Sequence, residues 1–142
     1  MALLLNGFHH IAIIVSDYQK SKAFYTEILG ARIIEETYRS SRDSYKLDLC
    51  FPDSSQLELF SFPNPPKRLS HPEACGLRHL AFKVDDIDEA VRYLRSKQVE
   101  CEDIRIDELT GKKFTFFRDP DNLPLELYEF DCLPIVESKC ET

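Results

Sequence analysis

Two histidines and two glutamates recur at matching places along this sequence. His10 in the segment FHHIAIIV corresponds to His79 in LRHLAFKV, and Glu58 in QLELF corresponds to Glu126 in PLELY. The offset between the copies is 69 residues for the histidines (10 to 79) and 68 for the glutamates (58 to 126). Imidazole nitrogens and carboxylate oxygens are both good ligands for divalent transition metals. This repetition predicts a pseudo-symmetric metal site built from two related halves.

The apolar residues around these four positions alternate as they do in a β-strand. His10 is expected to share a strand face with Ala12 and Ile14, while Glu58 and Glu126 are each flanked by leucines that point the other way. A carboxylate on an apolar strand is costly unless it is paired, exposed or bound to a metal. A single histidine or glutamate would be explained as a solvated side chain, but the recurrence of both types in two copies favours one shared site.

The composition favours one compact globular domain and excludes several classes of protein. The chain has 142 residues, of which 43% are hydrophobic, and a net charge of −7 without any basic run, which argues against a nucleic-acid partner. No apolar run reaches the roughly 20 residues that span a bilayer, and the start lacks the basic residues of a signal peptide. The five cysteines are odd in number and form no C-x-x-C motif, which favours reduced thiols and a cytoplasmic location.

The hydrophobic pattern predicts two modules with the element order βαβββ. Module one is expected over about 7–63, with a strand at 8–15, a helix capped at Ser16 and ended at Gly30, and strands near 31–38, 44–51 and 56–62. A proline-rich linker follows at 63–75. Module two is expected over about 76–130, with a strand at 77–84, a helix that begins in the acidic run 85–89, and strands near 99–107, 112–118 and 123–130. Residues 131–142 are predicted to form a flexible tail beyond this single domain of residues 1–130.

These motifs resemble those of the vicinal oxygen chelate superfamily, also called the glyoxalase/bleomycin-resistance/dioxygenase superfamily. The resemblance covers residues from about 7 to 130 and rests on the segments HHIAIIVSD, FYTEILG, QLELF, LRHLAFKVDDID and RDPDNLPLELYE. Within the superfamily, the chain is most similar to small bacterial proteins of the lactoylglutathione-lyase-like type. The resemblance implies an α+β fold in which two tandem βαβββ modules form a curved, partly open, barrel-like sheet with the helices outside.

The resemblance also implies a set of metal ligands and a reaction. Glyoxalase I carries His, Glu, His and Glu in this chain order, which matches His10, Glu58, His79 and Glu126. A Ni²⁺, Zn²⁺, Co²⁺ or Mn²⁺ ion would polarise a small 2-oxo or thiohemiacetal substrate and stabilise its enediolate. Glu126 is expected to act as the catalytic base, with Glu58 as its partner on the opposite face. The predicted function is a glyoxalase-I-like lyase or isomerase.

Other branches of the superfamily remain open as alternatives. One alternative is an extradiol dioxygenase, which would use Fe²⁺. Extradiol dioxygenases and fosfomycin-resistance enzymes have a pattern of three ligands, two His and one Glu, and this pattern would not require Glu58. Methylmalonyl-CoA epimerase is similar in the linker and in the second module. A bleomycin-resistance-like binding module would hold an aromatic or cationic ligand without metal, in keeping with the net negative charge. Ile14 and Phe62 stand where glyoxalase I has an arginine and an asparagine, so the resemblance does not extend to glutathione recognition.

The remaining candidates are assigned structural roles. His9 and His71 have no counterpart in the other module, so neither is expected to be a ligand. The aromatic run Phe114, Phe116 and Phe117 is expected to form core and cavity lining. A homodimer is expected, because the open sheet edges of each module favour pairing.

Overall fold

The computed structural model describes residues 3–131, so residues 132–142 of the predicted tail lie outside the described residues. The first module contains β1 (Ile11–Val15), α1 (Tyr18–Ala23), β2 (Arg32–Arg39), β3 (Ser44–Cys50) and β4 (Gln56–Ser61). The second contains β5 (Leu80–Val84), α2 (Ile87–Ser96), β6 (Arg105–Ile106), β7 (Lys113–Arg118) and β8 (Pro124–Glu129). This order confirms the predicted α+β fold of two βαβββ modules.

Each module forms its own four-stranded sheet with the same strand order. The orders are β1-β4-β3-β2 and β5-β8-β7-β6, so the first strand of each module lies beside the last. These first and last strands run parallel, whereas β4, β3 and β2 pair antiparallel. The parallel pair places the segments that carry the repeated histidines and glutamates next to each other.

The first helix is capped by Asp17 and not by Ser16, so the predicted capping residue was wrong. The Asp17 carboxylate accepts a hydrogen bond from the amide of Lys20 at 3.1 Å and so caps α1. Ser16 has another partner, because its amide and its hydroxyl both donate to the Asp121 carboxylate. The helix continues as a π-helical turn over Phe24–Ile28 and stops before Gly30, as predicted.

Three strands, β1, β5 and β6, are shorter than the sequence pattern predicted by several residues. β1 begins at Ile11 and β5 at Leu80, because the parallel pairing to β4 and β8 starts at those residues. The stretch predicted at 99–107 forms ladder pairs at Arg105 and Ile106. Strand character therefore follows the available pairing partner more closely than the apolar run does.

The described residues fall into two compact units. The first contains residues 3–76 with Arg118–Leu123, and the second contains residues 77–117 and 124–131. The core of the first unit includes Val15, Tyr25, Leu47, Leu49 and Leu59, and that of the second includes Ile87, Val91, Leu94 and Leu125. No helix within residues 3–131 is long and apolar enough to cross a membrane. Cys50, Cys75 and Cys101 are free thiols.

Candidate metal-binding half-sites

The first unit brings His10 and Glu58 together. The Nε2 atom of His10 lies 3.1 Å from Oε2 of Glu58, and the two side chains are 38% and 15% exposed. The pairing of β1 with β4 explains this contact, because Ala12 lies directly beside Glu58 and His10 comes two residues earlier on the same face. Alanine is small, so the space above it remains open to the imidazole and the carboxylate.

The second unit repeats this geometry with His79 and Glu126. Nε2 of His79 lies 3.0 Å from Oε2 of Glu126, and the side chains are 27% and 13% exposed. Ala81 lies beside Glu126 in the β5–β8 pairing and again follows the histidine by two residues. The sequence repeat is thus reproduced as two pairs with the same register, the same atoms in contact and similar burial.

The donor types of each pair fit a divalent metal, although the number of donors in a pair does not complete a site. An imidazole nitrogen and a carboxylate oxygen lie at contact distance in each unit, and both are partly open to solvent. Catalytic zinc sites usually have three protein ligands. Among residues 3–131, no group of three or more His, Cys, Asp or Glu side chains is placed to hold a metal ion. The structure therefore brings His10 to Glu58 and His79 to Glu126, and each pair is one half of the predicted set.

Two charged residues beside the first pair were missed by the sequence reasoning. Lys46 contacts Oε1 of Glu58 at 3.2 Å and Oδ1 of Asp48 at 3.1 Å, and Asp48 lies directly across from Glu58 on β3. The hydrogen bond to the Asp48 carboxylate raises the pKa of the Lys46 ammonium, with a smaller contribution from Glu58, so Lys46 stays charged. Their signal in the sequence is the alternation KLDL, which puts two charges on the same strand face as Glu58.

The second pair has aromatic neighbours instead. The ring of Phe116 packs edge-on against His79 at 5.2 Å, and Phe114 packs edge-on against Phe116 at 6.2 Å. The guanidinium of Arg105 lies over both phenylalanine rings, at 5.0 Å from Phe114 and 5.7 Å from Phe116. At the 68-residue offset of the glutamates, these phenylalanines stand where the first module has Lys46 and Asp48. Phe117, the third member of the aromatic run, is buried in the core.

The positions that would recognise glutathione in glyoxalase I are apolar here. Ile14 is 58% exposed on β1. Phe62 stacks parallel to Phe60 at 6.4 Å, and the guanidinium of Arg39 lies over both rings. Neither Ile14 nor Phe62 offers a side-chain hydrogen bond to a peptide ligand.

The two remaining histidines lie in different surroundings. Nδ1 of His9 is 2.9 Å from Nδ1 of His10, so His9 contacts the first pair without facing Glu58. His71 is exposed and lines a cleft in the linker region. That neither His9 nor His71 is a metal ligand stays a prediction from the sequence.

The chain thus has a duplicated βαβββ fold with one histidine–glutamate pair in each unit. The model of the Glyoxalase/Bleomycin resistance protein/Dioxygenase superfamily matches residues 7–127 of this chain. The chain belongs to this superfamily.

Similar proteins include two of bacterial origin that are described as uncharacterized. The chain is 63% identical to YwkD of Bacillus subtilis over 127 residues, which cover 89% of this chain and 99% of that protein. It is 62% identical to YaeR of Escherichia coli, with 88% and 97% covered. The crystal structure of a glyoxalase family protein from Enterococcus faecalis has a TM-score of 0.82 at 49% identity and covers 87% of this chain and 98% of that one.

More distant relatives include named enzymes. Human mitochondrial methylmalonyl-CoA epimerase is 28% identical, with 82% of this chain and 69% of that protein covered. Lactoylglutathione lyase of Schizosaccharomyces pombe is 27% identical, with 84% and 46% covered. A structure of the fosfomycin-resistance protein FosX from Listeria monocytogenes, solved as a mutant complexed with Mn(II), shares the fold at a TM-score of 0.67 and 22% identity, with 88% and 90% covered.

Proposed function

We propose that this protein is a divalent-metal-dependent lyase or isomerase that acts on a small 2-oxo or thiohemiacetal substrate. His10, Glu58, His79 and Glu126 would hold the metal, with Ni²⁺, Zn²⁺, Co²⁺ or Mn²⁺ as candidates. The observation that carries the proposal is the repeated pair, with nitrogen–oxygen distances of 3.1 and 3.0 Å at the same register in both units. The agreement of the two pairs in register, contacting atoms and burial supports a shared role for them.

The chain's own residues divide the work of the proposed reaction. When bound, a divalent ion would polarise the substrate carbonyl and stabilise the negative charge that develops on its oxygen. The two imidazoles would supply nitrogen ligands to that ion. Glu126 is the proposed base, which takes the proton from the carbon next to the carbonyl.

The contacts of the two glutamates support this division of roles. Among the described side chains, Glu126 pairs with His79 alone, so its second oxygen is free to accept a proton. Glu58 is held more firmly, because His10 contacts one of its oxygens and Lys46 the other. Glu58 is therefore better placed to hold position than to shuttle a proton.

Particular features favour two alternatives, and the sequence resemblance leaves a third. An epimerase is supported by the distant relationship to methylmalonyl-CoA epimerase, and it would use the same proton abstraction next to a carbonyl. A metal-free binding module is supported by the aromatic rings of Phe114 and Phe116, over which the Arg105 guanidinium lies. An extradiol dioxygenase would use Fe²⁺ without Glu58.

We also propose that the protein is a cytoplasmic homodimer with a small-molecule substrate and no nucleic-acid or membrane partner. Each sheet has two edge strands, and the edge strand β1 carries the exposed Ile14. Each His–Glu pair supplies two of the four proposed metal ligands. A complete set of ligands therefore needs one pair of each kind, His10 with Glu58 and His79 with Glu126.

The deciding experiment measures bound metal in protein purified without chelator. We expect near-stoichiometric metal in the wild type and in Glu129→Gln, a control acid three residues beyond Glu126, and strong loss in His10→Ala and Glu126→Gln. Unchanged metal in the two site variants, or full-affinity ligand binding by metal-free protein, would overturn the metal-enzyme proposal.

Assays of the metal-loaded protein then separate the branches. Methylglyoxal with and without glutathione tests the lyase, methylmalonyl-CoA tests the epimerase, and oxygen uptake with catechols tests the dioxygenase. We expect turnover that does not require glutathione, because Ile14 and Phe62 provide no polar group for it. A strict glutathione requirement would contradict this interpretation of the two positions.

A further inference from the structure

A cleft of about 400 Å³ lies in the first unit and is lined by residues that neither His–Glu pair uses. Part of its wall comes from the linker and part from the turn that joins β7 to β8. The lining consists of Arg68, Leu69, Ser70, His71, Arg118 and Asn122. Two arginines, a hydroxyl and an amide make a lining that is rich in hydrogen-bond donors and contains no carboxylate.

The two acids of the β7–β8 turn already have partners. Oδ1 of Asp119 accepts hydrogen bonds from the amides of Asp121 and Leu123 at 2.8 and 2.9 Å, and Oδ2 accepts one from the Tyr25 hydroxyl at 2.8 Å. The Asp121 carboxylate accepts hydrogen bonds from the amide and the hydroxyl of Ser16. Both carboxylates therefore already accept hydrogen bonds from donors of the turn and of the first module.

Arg118 keeps its charge available to the cleft. Within the described part of the chain its guanidinium forms no ion pair, and its one hydrogen bond goes to the carbonyl oxygen of Asn122 at a long 3.5 Å. Asn122 has a left-handed backbone with φ of 63°, held by the hydrogen bond from its amide to the Asp119 carbonyl at 3.0 Å. The turn thus fixes the position from which Arg118 and Asn122 reach the cleft.

Ser70 provides a second, independent indication of a ligand. Its hydroxyl oxygen is buried and has no hydrogen-bond partner among the described residues. Buried hydroxyls are normally paired, so an unpaired one that lines a cleft is suited to a ligand atom. Leu69, which is 73% exposed on the same lining, offers an apolar surface beside these polar groups.

We propose that this cleft binds a small organic anion through a phosphate or carboxylate headgroup. The guanidinium group of Arg118 has the planar, bidentate geometry that both headgroups accept, and Arg68 adds a second positive charge to the lining. The Ser70 hydroxyl and the Asn122 amide donate further hydrogen bonds, and the organic part of the ligand lies against Leu69. A volume of about 400 Å³ falls in the usual range for small-molecule sites and exceeds what an inorganic ion fills.

The test titrates the full-length protein with phenyl phosphate, benzoate and inorganic phosphate and follows amide NMR signals. We expect saturable shifts at Ser70, His71 and Asn122 with at least one of the two organic anions and weaker binding of inorganic phosphate. The comparison of phenyl phosphate with benzoate, which share the ring, identifies the preferred headgroup. Binding should weaken about tenfold in Arg118→Met, as loss of a charge-assisted hydrogen bond predicts.

Matched variants protect the test against a general charge effect or misfolding. Lys67→Met removes the same charge next to the cleft without touching its lining, and it should change affinity less than about twofold. Ser70→Ala and Asn122→Gly, which keep the backbone conformations, should each weaken binding by a few fold without lowering the melting temperature appreciably. Equal losses in Lys67→Met and Arg118→Met, or no saturable shifts in the wild type, would overturn the proposal.

Discussion

Lys46 gives the first half-site a positive charge that the second half-site lacks. It contacts both Asp48 and Glu58, whereas the corresponding positions of the second module carry phenylalanines. In the metal-free protein this lysine balances two neighbouring carboxylates. On the proposed function, the Lys46 charge would repel a metal ion bound at Glu58. We therefore expect Lys46 to stabilise the metal-free protein and to weaken metal binding.

Replacement of Lys46 by methionine should therefore change apo stability and metal affinity in opposite directions. We expect a lower melting temperature without metal, because Asp48 and Glu58 then face each other as like charges. Divalent-metal affinity should rise roughly threefold to tenfold, as removal of a nearby positive charge predicts. Calorimetric metal titration and thermal unfolding with and without metal measure the two effects.

Lys22→Met is the matched control. Lys22 forms an ion pair with Glu36, with a nitrogen–oxygen distance of 2.6 Å, and this pair includes neither histidine. It should leave metal affinity unchanged. A Lys46→Met protein that binds metal no more tightly than Lys22→Met would contradict the proposed competition.

The buried pair of Tyr25 and Asp119 predicts a pH-dependent loss of stability. Burial raises the pKa of Asp119 and that of Tyr25, and the tyrosine hydroxyl donates the hydrogen bond that partly offsets the cost of the charged carboxylate. Tyr25→Phe should cost about 1–3 kcal/mol at neutral pH, because a buried carboxylate oxygen loses its donor. The cost should shrink as the pH falls through the raised pKa of Asp119, since the protonated acid tolerates the lost donor better.

Urea unfolding across the acidic to neutral range measures this dependence. Because the pKa of Asp119 is raised in the folded state, this carboxyl binds more protons in the folded than in the unfolded protein. Its contribution to stability therefore declines as the pH rises from the unfolded-state pKa through the raised pKa. Tyr38→Phe is the control, because its hydroxyl donates to Asp43 at an exposed site. A constant penalty for Tyr25→Phe at every pH would show that Asp119 is not the coupled group.

At the scale of elements, the helix caps offer a direct test of how these helices are positioned. Asp86 caps α2 by accepting a hydrogen bond from the amide of Glu89 at 3.0 Å. Asp86→Ala should lower the free energy of unfolding by about 1 kcal/mol. The adjacent exposed Asp85 provides the control, and Asp85→Ala should change stability by less than half as much in the same urea unfolding experiment. Equal losses would assign the effect to net charge and not to the cap.

The element order could be predicted from the sequence because its signals are local. Strand alternation, acidic helix starts and glycine or proline turns gave two βαβββ modules and placed the four ligand candidates on the open faces. The ends of β1, β5 and β6 could not be predicted, because they depend on where a neighbouring strand offers hydrogen bonds. The cap at Ser16 failed for a related reason, since that residue bonds to Asp121, which is 105 positions away.

The two His–Glu pairs of the candidate site could be predicted from the sequence, whereas the residues around them could not. The repeated motif identified both histidines and both glutamates, and the structure pairs them within each unit. Lys46 and Asp48 were missed because charged residues on an open strand face are usually solvated, and only the β3–β4 register brings Asp48 opposite Glu58. The sequence repeat does not mark Lys46 and Asp48 either, since phenylalanines stand at the corresponding positions of the second module.

At the scale of the whole molecule, the half-sites predict how a complete metal site forms. Each unit supplies one His–Glu pair, and the described residues of one chain contain no larger cluster of metal ligands. On the proposed function we predict that the site is completed across a homodimer, in which the first pair of one copy meets the second pair of its partner.

Complementation between two inactive variants tests this arrangement. The double variants His10→Ala/Glu58→Gln and His79→Ala/Glu126→Gln should each bind little metal when expressed alone. When differently tagged forms are co-expressed in equal amounts, half of the dimers are mixed and each mixed dimer has one intact composite site. We therefore expect about a quarter of the wild-type metal content and activity. Because completion within a single chain would leave every site defective, doubly purified mixed dimers without metal would rule out sites shared between subunits.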